Sequence, residues 1–389
     1  MGGSLLRKIK IVFLVQRLVC GGAEQALFDL ICLMDKSRFD ITVLALVDGG
    51  AWESKFRDAG IRVVSVFCRR KDHSLPGFVR HQLKKLKIHW VIMRDSRKLL
   101  EMFLPEGADI AVAYSMWGDE AAALADNMLH IKYIHGNVVN NDAFRKLILK
   151  ARPLLLEYQR IVCVSEESCE GFKKVTGIEK NVRMLFNPLN SENVIRMAEN
   201  PVDMPVDVPV VCAVGRLAPE KAFDRLIRIH KRLLDRGLVH RLVIVGDGEE
   251  KEKLLRIIDE TETSDSVILA GYQSNPYPYM KLSRFLVCSS YTEGLPVTVM
   301  EALALGIPVV SSVASIQEAF GEELCGVITD NDDESLEQGI RKMLEDDRFY
   351  QQVKQGAQKR SAFFEGSQMV KAHEALYAEL MEGRENASD

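Results

Sequence analysis

The sequence predicts an α/β protein built from two doubly wound parallel-sheet domains. Three observations lead there. Short apolar runs alternate with helical patterns along the whole chain. The alternation pauses once, in the proline-punctuated stretch from Asn190 to Pro209, and then restarts. The charge changes sign at the same place: residues 1–190 hold 29 Lys and Arg against 21 Asp and Glu, residues 191–389 hold 22 against 34, and the whole chain is −4. With 389 residues and 47% hydrophobic content there is material for two cores of ordinary size. The expected division is a first domain over 1–188, a linker over 189–208, a second domain over 209–365, and a terminal helix with a frayed tail over 366–389.

The first strand is Ile9–Val15. Its apolar core, Ile11 to Val15, is too short to span a bilayer and has no small-residue cleavage site after it, so a first strand is expected here and not a signal peptide. The chain then enters Gly21-Gly22-Ala23-Glu24 and a helix to about Met34. Two glycines at a helix start leave bare backbone N–H groups, a seat for an anion or a sugar, although a plain turn reads the same way. Further strands are expected at Ile41–Val47, Arg62–Val66, Asp109–Ala113, Ile131–Ile134 and Ile161–Val164, with Asn187-Pro188 closing the last strand of this half. His135, in Tyr133-Ile-His-Gly-Asn137, follows a strand directly and becomes a site candidate on that position. Arg69–Lys98 carries ten Lys and Arg against two Asp, interleaved with Leu75, Phe78, Leu83, Trp90 and Ile92. Such a surface suits anionic lipid head groups, and a solvated helix face reads equally well. No nucleic-acid recognition motif accompanies the charge, so a nucleic-acid partner is not expected.

The second half restarts at Pro209-Val-Val-Cys-Ala-Val-Gly215-Arg-Leu-Ala-Pro-Glu-Lys221, followed by a helix to about Arg236. Arg216 and Lys221 place two cations on a strand-to-helix loop, an arrangement that suits a polyanion, although taken alone two surface cations is the better reading. Leu242–Val245 ends in Gly246-Asp247-Gly248. Val267–Leu269 leads into the aromatic loop Gly271-Tyr272-Gln-Ser-Asn275-Pro-Tyr-Pro-Tyr279, which can stack on a base or simply pack. Phe285–Cys288 and Pro308–Ser311 are strands that bracket Tyr291-Thr-Glu293-Gly294-Leu295-Pro296-Val-Thr-Val-Met-Glu301-Ala302. Pro296 suits a first helical position and Gly306 a helix C-terminus. Glu293 then lies in the loop and Glu301 on the second helical turn. A loop at the carboxyl end of a strand, entering a helix, is where open α/β sheets bind ligands. Pro296 to Glu301 spans about 7–8 Å along the helix, roughly a diphosphate. Gly326–Ile328 is a last short strand. Helices are expected at Glu334–Leu344, Arg348–Phe363 and Gly366–Glu382.

Motifs that are missing also narrow the function. There is no G-x-G-x-x-G and no G-x-x-x-x-G-K-[ST], which argues against the standard dinucleotide fingerprint and the ATPase phosphate loop. The eight cysteines form no Cys-x-x-Cys and no Cys/His cluster, as in a reduced cytoplasmic protein without structural zinc. Asn386-Ala-Ser388 would accept a glycan only in a secreted protein.

Together these residues resemble the GT-B glycosyltransferases, specifically retaining family 4, also described as glycosyl transferases group 1. The resemblance covers nearly the whole chain. It is carried by Glu293-Gly-Leu-Pro-Val-Thr-Val-Met-Glu301, Gly215-Arg-Leu-Ala-Pro-Glu-Lys221, Gly246-Asp-Gly248 and Gly21-Gly-Ala-Glu24. It implies two Rossmann-like domains facing a cleft, with the last helix returning to the first domain. Arg216 and Lys221 would neutralise the donor diphosphate, Glu301 would hold the ribose, and Glu293 would hold sugar hydroxyls beside the N–H groups of Gly294 and Leu295. Gly21 and Gly22 would close on the donor, His135 would lie beside the reacting carbon, and the loop holding Tyr272 and Asn275 would read the base. Gly215, Gly246, Asp247 and Gly248 join the donor set; Glu24 and Asn137 are acceptor-side candidates. Three positions depart from the pattern: Ala222 where glycine is frequent, Asn190, and Ser283-Arg-Phe285.

The expected activity is transfer of a sugar, with retention, from a nucleotide-diphosphate sugar to a glycan or polyprenyl-linked acceptor in bacterial surface polysaccharide synthesis. Uridine is favoured over guanosine as the base by family frequency alone. Two fixed cations can replace a divalent metal, and no Asp-x-Asp site is visible, so no metal and no other cofactor is expected. The expected place is the cytoplasm, at the inner face of the plasma membrane if Arg69–Lys98 touches lipid. The alternatives are a nucleotide-sugar epimerase or another GT-B enzyme, and a non-catalytic nucleotide-sugar binder.

Overall fold

A computed structural model describes residues 7–19, 21–67, 98–115, 127–364 and 366–385. The basic stretch 69–97 and the Asn386-Ala-Ser388 triplet lie outside the described residues. The chain divides into two compact units, residues 1–188 with 367–389, and residues 189–366.

The first unit holds a parallel sheet of β1 (Ile9–Val15), β2 (Phe39–Val47), β3 (Arg62–Phe67), β4 (Ile110–Ser115), β5 (Leu129–Ile134), β6 (Arg160–Cys163) and β7 (Val182–Met184), in the order β3-β2-β1-β4-β5-β6-β7. Alternate residues of one strand serve two cores, because successive side chains point to opposite faces. Ile11, Phe13 and Val15 pack on one side with Leu27, Leu30 and Ile31 of α1 (Gly22–Leu33) and Phe56 of α2 (Glu53–Asp58). Val12 and Leu14 face the other side. There they meet α3 (Lys98–Phe103), α4 (Asp142–Leu155) and α5 (Glu166–Thr176). Burial on both faces is why β4 reads as an unbroken apolar run. The expected last strand of this half is β7, and it is shorter than the others. It has only three residues, none of them fully buried, and the last strand of this half ends at Met184, before Asn187-Pro188.

The second unit begins with a correction. Residues 189–208 were expected as a linker, yet α6 (Ser191–Ala198) forms there, capped by the Asn190 side chain accepting from the Asn193 N–H at 3.1 Å. The sheet follows with β8 (Val210–Val214), β9 (Arg241–Val245), β10 (Val267–Gly271), β11 (Phe285–Cys288), β12 (Val309–Ser311) and β13 (Gly326–Ile328), all parallel, in the order β10-β9-β8-β11-β12-β13. Its helices are α7 (Phe223–Asp235), α8 (Lys251–Glu260), α9 (Tyr277–Lys281), α10 (Val297–Ala304), α11 (Ile316–Phe320), α12 (Asp333–Glu345) and α13 (Asp347–Ser361). Pro296 is the residue before α10, not its first turn, and Gly306 leaves the helix at φ +68, as a helix-ending glycine does. Part of the expected aromatic loop is helix α9.

The chain's last helix, α14 (Gly366–Glu385), belongs to the first unit. Val370, Leu376, Tyr377 and Leu380 complete the core beside α1. His373 ties it down: Nδ1 meets the Tyr133 hydroxyl at 2.7 Å and Nε2 meets the Phe186 carbonyl at 3.0 Å. Among the described residues no helix is long and apolar enough to cross a membrane.

A histidine pair in the second unit sets a pH dependence. The Leu238 carbonyl, 2.7 Å from His240 Nδ1, requires a proton on that nitrogen. His240 Nε2 then accepts from His230 Nδ1 at 2.8 Å, and His230 Nε2 accepts from the Ser266 hydroxyl at 2.9 Å. Both rings are satisfied while neutral, and burial, reinforced by His240, pushes His230 down to about 3. Below an ordinary histidine value near 6.5 the unfolded chain takes up a proton that the folded unit refuses. The resulting stability is complete above about pH 6.5 and is lost as pH falls toward 3, by about 1.4 kcal/mol per pH unit from His230 alone. Urea unfolding at pH 7 and pH 5 is expected to show a loss that is shallower by about 2 kcal/mol in His230→Asn. Equal pH slopes in the two proteins would refute this origin.

Candidate functional site

In the second sheet the strand order reverses between β8 and β11, which are neighbours although two strands intervene in sequence. Their carboxyl ends therefore flank the switch point where such sheets bind ligands. β8 runs out through Gly215 to a single 3-10 turn, Pro219–Lys221, and β11 runs out through Ser289 to Pro296. Across this point Lys221 Nζ is ion-paired with Glu293 Oε1, and the Ser290 hydroxyl donates to the same oxygen at 2.8 Å. Burial works against the Lys221 charge, but the Glu293 carboxylate outweighs it and holds the ammonium above its ordinary value. Beside Glu293 the buried Thr292 hydroxyl has no hydrogen-bond partner among the described residues, the kind of orphan a ligand hydroxyl satisfies.

The turn after β9 is pressed onto the β8 loop. Leu217 donates to the Asp247 carbonyl at 3.0 Å, and Glu250 donates to the Leu217 carbonyl at 2.9 Å. A Cβ on Gly246 would lie 1.8 Å from the Gly215 carbonyl oxygen, and one on Gly248 would lie 2.4 Å from that of Leu217. Backbone approach alone therefore demands both glycines. The Asp247 side chain accepts from the Gly248 N–H at 2.9 Å. Beside Gly215 the Lys221 methylenes lie 3.6 Å from where a Cβ would stand, an ordinary packing distance. Ala222 has φ +53, which explains why glycine is frequent at this place in the family it resembles.

Glu301 is buried on α10 and accepts from the Tyr277 hydroxyl at 2.9 Å. Gly294 and Leu295 are buried just before that helix, which has no side-chain cap. Arg216 stands apart from this set. It is 60% exposed and donates to Glu220 at 2.6 Å. Tyr272 is half-exposed, and Asn275 is turned inward, its amide donating to the Met197 carbonyl of α6 at 2.9 Å.

Sequence reasoning missed the buried Arg225 on α7. Its guanidinium donates to the Ser289 carbonyl, to Ser312 Oγ at 2.6 Å and to Asn331 Oδ1 at 2.9 Å, and lies 4.6 Å from the Tyr291 ring centre. Tyr291 in turn donates its N–H to the Glu220 carbonyl, and Ser289 Oγ donates to the Lys221 carbonyl at 2.8 Å. The two loops bearing Lys221 and Glu293 are thus joined from beneath. Tyr277 and Ser290 were missed as well. Their partners are remote or lie around a turn, and no spacing rule announces them.

In the first unit the order reverses between β1 and β4. Glu24 bridges that point, buried, accepting from the Ser115 hydroxyl at 3.2 Å. Its carboxylate folds back over Gly21, where a Cβ would sit 2.6 Å from Oε2. Burial raises its pKa, against its own backbone N–H and Ser115. The expected seat at Gly21-Gly22 is therefore already occupied by a carboxylate. His135 follows β5, its ring tilted against Tyr114 at 4.5 Å between ring centres and stacked on Tyr133 at 5.9 Å. Burial, then the Lys132 charge, pushes it down to about 3, offset in part by the Tyr114 backbone. Among the described residues neither ring nitrogen has a hydrogen-bond partner, and the Tyr114 hydroxyl lacks one too. Asn137 is structural in its contacts: Oδ1 accepts from the N–H groups of Val139 and Asn140, and Nδ2 donates to Glu167 at 2.6 Å. Among the described residues no cluster of three His, Cys, Asp or Glu is placed to hold a metal.

Residues 198–360 match the family model described as glycosyl transferases group 1. A Campylobacter jejuni protein named N-acetylgalactosamine-N,N'-diacetylbacillosaminyl-diphospho-undecaprenol 4-alpha-N-acetylgalactosaminyltransferase is 33% identical over 48% of this chain and 50% of its own length. The lipopolysaccharide core biosynthesis glycosyltransferase LpsE of Rhizobium meliloti is 28% identical over 64% of this chain and 69% of its own length. The chain thus matches about half of the first relative's length and a little over two thirds of the second's. The crystal structure of Anabaena Alr3699/HepE in complex with UDP and glucose superposes with a TM-score of 0.77 at 18% identity, covering 95% of this chain and 99% of that one. That likeness shows the GT-B fold.

Proposed function

Residues 198–360 form a glycosyl transferases group 1 domain, and from that premise we propose that the protein is a retaining glycosyltransferase. It moves a sugar from a nucleotide-diphosphate sugar, with uridine the favoured base, to a glycan or polyprenyl-linked acceptor in bacterial surface polysaccharide synthesis. The observation that carries the proposal is the Lys221–Glu293 pair set across the β8/β11 switch point, with Glu301 on helix α10, which follows the Glu293 loop.

In this reading Lys221 meets the diphosphate, and the exposed, mobile-stemmed Arg216 swings from Glu220 to join it. As the bond from the anomeric carbon to phosphate oxygen breaks, its electron pair stays on the phosphate, and both cations and the uncapped head of α10 stabilise that charge. The acceptor hydroxyl attacks from the same face and passes its proton to the departing phosphate. Glu293 and the Thr292 hydroxyl receive sugar hydroxyls, and Glu301, oriented by Tyr277, receives the ribose. Neutral His135 serves as a hydrogen-bonding group, not as an acid, at physiological pH. At Gly21-Gly22 the Glu24 carboxylate favours a hydroxyl over a phosphate. Two cations do the work of a divalent metal, so the reaction proceeds in a chelator. The Campylobacter and Rhizobium relatives' names support the polysaccharide setting, and the bound UDP of the Anabaena structure supports the base.

The test is thermal unfolding with UDP, GDP or ADP in EDTA. At a hundredfold excess over Kd a ligand adds about 2.7 kcal/mol, or about 5–10 °C for a domain of this size. A shift with UDP and not with ADP is expected. No shift with any nucleotide would overturn the donor site.

A further inference from the structure

His135 stands just past the last rung of its ladder. β5 pairs with β4 as far as Lys132 and with β6 as far as Ile134. The orientation of the His135 ring therefore comes from the side chains packed on it. Tyr133 lies two residues back and so on the same face of the sheet. Its ring stacks on that of His135 at 5.9 Å between centres and 20° between planes.

Tyr133 is in turn fixed by its hydroxyl. The Phe186 carbonyl, 3.0 Å from His373 Nε2, requires a proton on that nitrogen. Burial pushes His373 down to about 4, so the ring is neutral at physiological pH. His373 Nδ1 then accepts from the Tyr133 hydroxyl at 2.7 Å, which leaves the Tyr133 oxygen to accept from the Tyr377 hydroxyl at 2.9 Å. The chain runs one way, from Tyr377 through Tyr133 and His373 to the Phe186 carbonyl. All three side chains are buried. They add to an anchorage that α14 already has. Glu374 accepts from the Asp35 N–H at 2.7 Å, Glu379 pairs with Arg160 and Arg183, and Val370, Leu376 and Leu380 supply apolar contact. A leucine at 373 would pack the helix without the cost of desolvating an imidazole. What the imidazole adds is direction, because a fully satisfied buried chain specifies one arrangement.

We propose that His373 is a positioning residue for His135, acting through the ring of Tyr133, so that the imidazole is set in place before the sugar arrives. The inference rests on the reading above in which His135 meets the sugar beside the reacting carbon, and it adds the residues on a remote helix that hold it there.

The first arm of the test needs no turnover. The protein has eight histidines, and the Cε1–H nuclear magnetic resonance signal of His135 is the one lost in His135→Asn. In His373→Leu and in Tyr133→Phe that signal is expected to shift or broaden, while the signals of His230 and His240, in the second unit, stay in place. An unmoved His135 signal in both variants would overturn the proposal. The second arm follows UDP release from UDP-glucose or UDP-N-acetylglucosamine, whichever the parent turns over. His373→Leu is expected to lower kcat by about 10- to 100-fold with the donor KM within about twofold, as a misplaced group does and a lost binding contact does not. His373→Gln, which can still accept from Tyr133 and donate to Phe186, should recover most of the loss. In a His135→Asn background His373→Leu should cost less than about twofold, because the two residues act as one. A full multiplicative loss in that background would show a structural role and overturn the proposal. A parent that turns over neither donor would count against the transferase reading alone, and the His135 signal would then decide for or against the positioning role.

Discussion

Lys221→Met is expected to lower the release of nucleoside diphosphate from the sugar donor by about 10²–10³-fold, the loss typical of removing one fixed stabiliser of transition-state charge. Methionine is the informative replacement because the Lys221 methylenes lie beside Gly215, so the stem stays packed and only the charge is lost. The fold should change little, because Glu293 keeps the Ser290 hydroxyl at 2.8 Å. The thermal shift produced by a nucleoside diphosphate should shrink with it. Arg216→Met is expected to cost less, since that side chain is exposed and must leave Glu220 to reach a ligand. Turnover of the Lys221→Met protein within threefold of the parent would show that the diphosphate is neutralised elsewhere.

Much of this architecture was legible in the residues, for a definite reason. Strands buried on both faces, such as β4 and β11, have no polar alternation to confuse their reading. What escaped was short or disguised. β7 has three residues, so its bounds were not legible, and α6 sits just before Pro201, Pro205 and Pro209 in a stretch whose composition reads as linker, although it belongs to the second unit. The site was legible as parts. The loop ending at Lys221 and the loop holding Glu293 each show a strand-to-helix turn. That the two side chains touch follows only from the crossover that places β8 beside β11, and no local pattern carries that information. The glycines of Gly246-Asp-Gly248 invite a ligand explanation from sequence, yet the carbonyls of Gly215 and Leu217 suffice to require them. A buried arginine in the polar-looking run Asp224-Arg225 shows no outward sign of its partners, which come from three other loops.

Arg225→Leu is expected to cost about 3–5 kcal/mol and to lower the unfolding temperature by about 10 °C. Burial depresses the arginine's pKa, so part of its desolvation cost is returned on replacement. The acceptors it leaves behind decide the balance. The Ser289 carbonyl, Ser312 Oγ and Asn331 Oδ1 all receive its protons, and a buried acceptor left without a donor costs about 1–3 kcal/mol. Arg225→Lys should recover less than half of the loss, because a single ammonium cannot serve acceptors spread across the plane of a guanidinium. The loss should also extend beyond stability. Ser289 is bonded to the Lys221 carbonyl and Tyr291 to that of Glu220, so loosening the Arg225 contacts frees the loop that holds Glu293 from the loop that holds Lys221. Below its unfolding temperature, Arg225→Lys should therefore bind a nucleoside diphosphate several-fold more weakly than the parent. An Arg225→Leu protein that melts within 2–3 °C of the parent, where about 1 kcal/mol moves the transition by that much, would mean that the loops are held together by the backbone alone.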